Sequence, residues 1–317
     1  MKRIVKRTTE RAMYMRLWKL VLGYCAGFLL IPSFFLSAEE IKLTSRYFLS
    51  GDGVVSLTNA KTNHSTRVHY RHEDGTYPQE ARQEIDRLFG VPAASSDHIA
   101  LRLVSALDYV EDQFNLPIVV ISGYRSEEYN NNLRAKGGGA ARASLHIEGM
   151  AADIKVRKNL AKKIWESVKE MRCCGIGFYG GDSVHIDTGP ARYWTQATSK
   201  VRTDISENNK QIMVRTDQDI YLPGEKIEVK LARITAYPVS LMGSFSVVRD
   251  GQEPQNFSFD GKGNECLPVR ETRERTVTWT IPETFSRAER IRIRLRFCDK
   301  QFPEMPDQIE SNEIAVR

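Results

Sequence analysis

Residues 144–154 of the 317-residue chain, SLHIEGMAADI, place a histidine and an aspartate seven positions apart in an otherwise small and apolar segment. Gly149 lets the backbone turn sharply between them. The run MAADIKV predicts a strand that carries Asp153, so that His146 lies on the loop entering it. The later stretch GDSVHIDTGPARYW provides His185 on a second predicted strand. If the two stretches meet, two imidazoles and one carboxylate come together.

Two neutral imidazoles and one carboxylate, with a fourth position left to water, form a common catalytic zinc set. We therefore predict that His146, Asp153 and His185 bind Zn²⁺. The alternative is a pair of hydrogen-bonded core histidines. The remaining histidines lie in polar or helical segments and are predicted to be exposed: His64, His69, His72 and His98.

The segments around these stretches mix helices and strands without a strict βαβ repeat. Residues 53–71 predict a hairpin and residues 116–122 a buried strand. Residues 95–115 predict a helix that begins at the capping residues Ser96 and Asp97. Two further helices are predicted at residues 78–90 and 159–171, and residues 127–139 predict a short helix that gives way to a flexible glycine loop. Together these patterns predict an α+β domain over residues 41–196, a small antiparallel sheet flanked by helices.

The pattern changes beyond residue 196. Residues 197–210 are polar and predict a linker, and residues 211–317 contain short strand-like runs divided by turn residues. Such spacing predicts an all-β sandwich. The stretch YLPGEKIEVKL resembles the opening of immunoglobulin-like accessory domains on envelope proteins. We expect this second domain to bind or position rather than to catalyse.

Residues 1–38 carry seven basic and one acidic residue, which accounts for the whole net charge of +6. The rest of the chain has no net charge, which removes the main support for a nucleic-acid partner. The basic start precedes a long apolar run, the pattern of a signal peptide or signal anchor. We therefore predict export to the periplasm or cell envelope, with a membrane attachment if the segment is not cleaved.

The chain has five cysteines, few for a disulfide scaffold. Cys25 lies in the apolar run. Cys173 and Cys174 are adjacent at the end of a predicted helix, where we expect small buried thiols. Cys266 and Cys298 share the predicted β domain, and an oxidising compartment would allow them to pair.

Three motifs carry a specific resemblance: SGYRS at 122–126, SLHIEGMAADI at 144–154 and GIGFYGGDSVHIDTGPARYW at 175–194. In order and spacing they resemble the D-alanyl-D-alanine carboxypeptidase and murein endopeptidase superfamily of zinc peptidases (family M15), and most of all its murein endopeptidase K-like branch. The resemblance covers about residues 45–196. It implies the zinc ligands His146, Asp153 and His185.

The resemblance also implies that Arg125 stabilises the oxyanion of the substrate. Many members of the superfamily have a glutamate three residues before the last histidine, where this chain has the shorter Asp182. Asp187 shares a strand face with His185, so it could activate the water or orient that ligand. We favour Asp187 as the site residue, with Asp182 as the alternative base and Glu148 as a solvated third. Substrate-binding positions are predicted at Tyr124, Ser144, Arg192 and Trp194.

These features together predict an exported zinc metallopeptidase that hydrolyses peptide cross-links of peptidoglycan, with stem peptides as its partners. One alternative is a D,D- or L,D-carboxypeptidase that trims stem peptides. The other is a non-catalytic peptidoglycan-binding envelope protein, which the shorter carboxylate at position 182 favours.

Overall fold

The structure is a computed structural model that describes residues 51–95, 97–201, 203, 205–286 and 289–317. These residues belong to one compact unit with two hydrophobic cores. The predicted export segment at residues 1–38 lies outside the described residues. Within them, no helix combines the length and the apolar character that a bilayer span requires.

Seven strands of the first half form one sheet: β1 (Val54–Asn59), β2 (Ser65–His69), β3 (Ile118–Ser122), β4 (Ala151–Lys155), β5 (Gly175–Phe178), β6 (Ser183–Asp187) and β7 (Arg192–Thr195). Their order is β2-β1-β3-β4-β6-β5-β7. The prediction of a small antiparallel sheet is wrong, because β1 pairs with β3 and β5 with β7 in parallel. The chain between β1 and β3 contains β2 and two helices, which gives these parallel neighbours the long connection that they require.

Four helices occur in the described part of the chain: α1 (Gln79–Phe89), α2 (Leu101–Phe114), α3 (Glu127–Ala135) and α4 (Lys158–Met171). The predicted α+β mixture is therefore confirmed for this half. α1 ends as expected at Gly90, whose φ of 84° is left-handed. α2 buries Leu103, Leu107 and Val110 against the sheet in the first core.

The start predicted for α2 is wrong. The helix begins at Leu101 after Ala100, and Ala100 provides no side-chain cap. Asp97 does not cap it because its carboxylate pairs instead with Lys230 and Arg275, far along the chain. Lys230 and Arg275 determine where the side chain of Asp97 lies. Sequence spacing does not reveal these partners.

The second half is rich in strands, as predicted: β8 (Met213–Thr216), β9 (Ile220–Tyr221), β10 (Lys226–Ala232), β11 (Val239–Met242), β12 (Ser244–Val248), β13 (Gln255–Ser258), β14 (Cys266–Val269), β15 (Thr276–Thr280), β16 (Glu289–Arg296), β17 (Gln308–Glu310) and β18 (Ile314–Val316). One sheet has the order β15-β10-β8 and another β13-β12-β16-β18-β9, with β17 on β16 and β11 paired to β14. Phe245 and Trp279 pack edge to face in the second core.

Two disulfides are present in the described residues. Cys266 is bonded to Cys298, joining β14 to the chain after β16. Cys173 is bonded to its neighbour Cys174, so the prediction of two buried thiols is wrong. Both cysteines follow α4 directly, and only Cys174 is buried.

Candidate metal centre and its cleft

The register of two central strands brings the distant halves of the candidate site together. β4 and β6 are antiparallel, and their register places Asp153 directly opposite His185. His146 lies on the loop before β4, where the backbone amide of Gly149 donates to the His146 carbonyl. Gly149 has a φ of 66°, and a Cβ there would lie 2.4 Å from the carbonyl oxygen of His98. Only glycine fits this turn without strain.

One nitrogen or oxygen atom from each of His146, Asp153 and His185 lies within 4.8 Å of the other two. His146 Nε2 is 3.4 Å from Asp153 Oδ2, and His185 Nδ1 is 2.9 Å from Asp153 Oδ1. Both imidazoles are buried, whereas the carboxylate is partly exposed. The structure therefore brings together the three residues that the sequence nominated as ligands.

The outer nitrogen of each imidazole is already held by an acceptor. His146 Nδ1 donates to the carbonyl oxygen of Gly123 at 2.8 Å, which leaves Nε2 facing Asp153. His185 Nε2 lies 2.9 Å from Asp187 Oδ2, which leaves Nδ1 facing Asp153. Metal-binding histidines are oriented in this way, with the second N–H on a carbonyl or a carboxylate. Zinc accepts two nitrogens and one carboxylate, so the donor set fits this metal.

Asp187 is completely buried and its carboxylate is surrounded by donors. Oδ2 contacts His185 Nε2 and accepts from Arg192 at 2.7 Å, and Oδ1 accepts from Arg192 and from the amide of Gly189 at 3.0 Å each. This residue, predicted as the favoured catalytic carboxylate, therefore orients the ligand His185. It has no face left for a water in the cleft.

The alternative base, Asp182, is not brought to the site. It precedes β6 by one residue, and its parity along the strand places it on the face opposite to His185. Its side chain is 52% exposed, and Oδ2 lies 3.7 Å from Lys155 Nζ. The three-residue spacing to the last histidine therefore does not give a carboxylate near the ligands in this chain.

Arg125 lies beside the ligands, as predicted. It follows β3, and its guanidinium donates to Asp153 Oδ2 at 2.8 Å and to Ser122 Oγ at 3.0 Å. Because these two contacts fix the guanidinium plane, Arg125 presents donors at a defined position next to the ligand carboxylate.

The charges of the ligands shift each other's pKa values. Burial lowers the pKa of His146. Burial opposes ionisation of Asp153, but His146 and His185 hold its pKa well below the ordinary value. Burial also opposes protonation of His185, yet hydrogen bonds to Asp153 and Asp187 raise its pKa to about 9. At neutral pH the Asp153 carboxylate is therefore ionised and the His185 ring is protonated, so a metal ion that binds Nδ1 must displace a proton.

An open cleft of about 1010 Å³ lies over the three ligands. Three of the predicted substrate-binding residues, Ser144, Arg192 and Trp194, line it. Trp194 lies beside His185, with ring centroids 5.2 Å apart, and its Nε1 donates to the hydroxyl of Tyr179. The fourth predicted residue, Tyr124, is not brought to the cleft, because its hydroxyl donates to Asp97 at 3.2 Å.

The second side of the cleft comes from beyond residue 196. Residues of the predicted linker line it, together with Gln211, Met213 and Arg233 from the strand-rich half. The sequence predicted only a linker at residues 197–210. Its polar composition gave no sign that it lies over the ligands.

Glu148 was predicted to be solvated, and this is wrong. Its side chain is buried because Oε2 pairs with Arg275 at 2.8 Å and Oε1 accepts the backbone amide of Arg233 at 2.9 Å. Its own carbonyl accepts from Arg215 at 3.0 Å. The strand-rich half therefore holds the loop between His146 and Asp153. A charged residue inside a small, apolar segment is the one signal that could have suggested a buried partner.

A buried His–Asp–His set with oriented imidazoles, at one side of an open cleft, is typical of the mononuclear metal sites of zinc hydrolases. A family model described as peptidoglycan L,D-endopeptidase MepK matches residues 50–194. Curated proteins named peptidoglycan L,D-endopeptidase MepK, from Escherichia coli strain K12 and from Shigella flexneri, are each 32% identical to the chain over 151 residues, 44% of this chain and 79% of each relative.

A probable peptidoglycan L,D-endopeptidase MepK of Haemophilus influenzae is 38% identical over 81 residues, 25% of this chain and 44% of that protein. The chain therefore belongs to the MepK family of peptidoglycan L,D-endopeptidases. This confirms the resemblance predicted from the three motifs. The family match ends at residue 194, before the strand-rich half begins.

Proposed function

We propose that this protein is a zinc-dependent endopeptidase that hydrolyses peptide cross-links of peptidoglycan. The observation that carries the proposal is the convergence of His146, Asp153 and His185 under the cleft. Family membership supports the substrate class, since the relatives are named for this activity. The L,D-specificity in their names makes an L,D cross-link the first substrate to test.

His146 Nε2, Asp153 and His185 Nδ1 would hold the zinc. Bound zinc supplies a Lewis acid beside the scissile carbonyl. Asp187 and the carbonyl of Gly123 keep the two imidazoles in the required orientation. Arg125, fixed by Asp153 and Ser122, donates hydrogen bonds to the oxygen on which negative charge develops.

The remaining parts of the proposal concern the setting of the enzyme. We propose that the basic and apolar segment at residues 1–38 directs the chain to the cell envelope, where peptidoglycan lies. Residues 211–317 would form an immunoglobulin-like sandwich that follows the peptidase region in the chain. Their aromatic core and several sheets support this architecture.

A non-catalytic peptidoglycan-binding protein is the second candidate, and one observation favours it. Among the described residues that line the cleft, Asp153 is the only carboxylate. Hydrogen-bond donors occupy both oxygens of Asp187, and Asp182 lies on the strand face opposite to His185. Neither carboxylate is therefore an accessible base beside the candidate ligands. Binding without hydrolysis would need the same cleft but no such base.

Two measurements on the full-length chain test these candidates. We expect elemental analysis to find about one zinc per wild-type chain and much less in His146→Ala. The matched control is His64→Ala, which removes an exposed histidine on the hairpin loop and leaves the metal content unchanged.

Incubation with cross-linked sacculi then follows. We expect the zinc-loaded wild type to release new uncross-linked muropeptides, and His146→Ala to release none. Retention of the wild type on sacculi without any product would sink the endopeptidase proposal and favour the binding protein. A wild type that holds no zinc after reconstitution would contradict the metal site itself.

A further inference from the structure

One cation of the cleft comes from the strand-rich half, which lies outside the family match. Arg233 follows β10 directly and lines the cleft together with Arg125, Arg192 and Lys200. Against these four basic side chains, Asp153 is the only acidic one in the described lining. The cleft therefore presents a positive surface to whatever enters it, and such a surface favours anionic ligands.

Arg233 differs from the other two arginines of the cleft in its partners. Arg125 pairs with Asp153, and Arg192 pairs with both oxygens of Asp187. The Arg233 guanidinium donates to the neutral side chain of Gln211, and its buried Nε has no hydrogen-bond partner. No ion pair joins Arg233 to an acid in the part of the chain that the structure describes. Among the three arginines of the cleft, Arg233 is the one whose charge is left to be matched by a ligand.

This arrangement costs free energy in the ligand-free chain. Burial of the guanidinium, together with the positive charge of Arg192, lowers the pKa of Arg233 to about 10, although Asp187 and Glu148 act in the opposite direction. The backbone of Arg233 is also left-handed, with a φ of 59°, a conformation that is unfavourable for a residue other than glycine. In this conformation the backbone amide of Arg233 donates to Glu148, on the loop between His146 and Asp153. Backbone strain at a residue that lines the cleft points to a function there.

We propose that Arg233 binds a free carboxylate of the peptide substrate and so makes the enzyme selective for stem peptides that carry that carboxylate. The inference rests on the proposed function for the identity of the ligand as a stem peptide. A guanidinium presents two parallel N–H donors, which match the two oxygens of a carboxylate. An amide at the same position offers only one acceptor and no negative charge. Arg233 therefore discriminates between the free acid and the amidated form.

The test measures equilibrium binding, so that it does not depend on hydrolysis. The probe is an uncross-linked stem tripeptide, prepared with all carboxylates free and in forms with one carboxylate amidated at a time. Its dissociation constant from the full-length chain is measured by calorimetry. We expect one amidated form to bind the wild type about tenfold more weakly than the free acid, as the loss of a charge-assisted contact predicts.

Arg233→Gln should bind the free acid about tenfold more weakly and lose the discrimination, whereas Arg233→Lys should retain part of both. Lys262→Gln is the matched control, because it removes an exposed positive charge that does not line the cleft. We expect it to change each dissociation constant less than twofold. Arg233→Gly removes the side chain and the strain together, so it should bind like Arg233→Gln without unfolding at a lower temperature than the wild type.

Three results would overturn the proposal: equal affinity of the wild type for all forms, discrimination that persists in Arg233→Gln, or an equal loss for all forms in Arg233→Gln. The outcome is separate from that of the sacculus assay. A chain that discriminates by Arg233 but releases no muropeptides refutes the proposed hydrolysis and leaves the carboxylate site standing. A chain that cleaves sacculi without discriminating refutes only the carboxylate site.

Discussion

At the scale of single residues, Asp187 contacts the candidate metal centre although it does not line the cleft. It contacts one ligand, His185, and is itself held by Arg192 and Gly189. A carboxylate on the outer nitrogen of a histidine fixes the ring and makes its other nitrogen a better donor to a metal. Position on the strand face alone could not distinguish this role from that of a base.

We expect Asp187→Asn to weaken zinc binding by about 10- to 100-fold, since partners of metal-binding histidines have effects of this size. The asparagine keeps the shape but loses the charge that attracts the proton on His185 Nε2. Competition with a coloured chelator measures the affinity. Asp182→Asn is the control, because its exposed side chain contacts only Lys155 among the described residues. Equal affinities for wild type and Asp187→Asn would contradict this role.

At the scale of elements, the turn before β4 and the register of β4 with β6 create the site. The runs that carry Asp153 and His185 predicted both strands, and Gly149 predicted the turn. Neither pattern determines which strands are neighbours. That β4 lies between β3 and β6 depends on packing across the whole sheet, and the sequence did not predict it.

Gly149→Ala tests how strictly the turn positions His146. The added Cβ meets the carbonyl of His98 in a left-handed conformation, so we expect a loss of about 2 to 3 kcal/mol in the free energy of unfolding. We also expect a lower zinc content. Urea unfolding and elemental analysis measure the two effects.

Gly90→Ala is the matched variant for this turn, since Gly90 is also left-handed but a Cβ there meets nothing within 4 Å. It should lose about 1 kcal/mol and keep its zinc. If both variants lost the same stability and both kept the metal, the close approach at Gly149 would have no role in positioning the ligand.

At the scale of the whole molecule, buried ion pairs join the two halves. Asp97 and Glu148 of the first half contact Lys230 and Arg275 of the second. Burial opposes ionisation of Asp97, but these cations lower its pKa to about 2 from an ordinary value of 3.8. Between these two pH values the unfolded chain binds more protons than the folded chain, so stability falls as the pH falls.

We expect Asp97→Asn to flatten this part of the stability curve. The wild type should lose free energy of unfolding as the pH falls from about 4 to about 2, whereas the variant should lose less over the same interval. At pH 7 the variant should be less stable by about 2 kcal/mol, because Lys230 and Arg275 lose a charged acceptor. Asp182→Asn should follow the wild-type curve. Parallel curves for wild type and Asp97→Asn, from urea unfolding at each pH, would contradict the prediction.

The sequence predicted mixed helices and strands in the first half and strands in the second, because apolar periodicity is a local property. It predicted the three ligands through spacing and resemblance. It did not predict the environments of Tyr124, Asp97 and Glu148, whose partners lie between 27 and 178 positions away in the chain. Nor did it predict that residues after 196 line the cleft. Such contacts arise from the docking of one half on the other, which no local pattern encodes.

The burial of Glu148 has a consequence for anyone who would move the catalytic region into another protein. Its carboxylate and that of Asp97 depend on cations supplied by residues 230–275. A fragment that stops after β7 would leave these two anions without counterions next to the loop that carries His146. The strand-rich half thus supplies the counterions that the first half needs. The first half can be transferred to another protein only together with the strand-rich half, or with Asp97 and Glu148 both replaced.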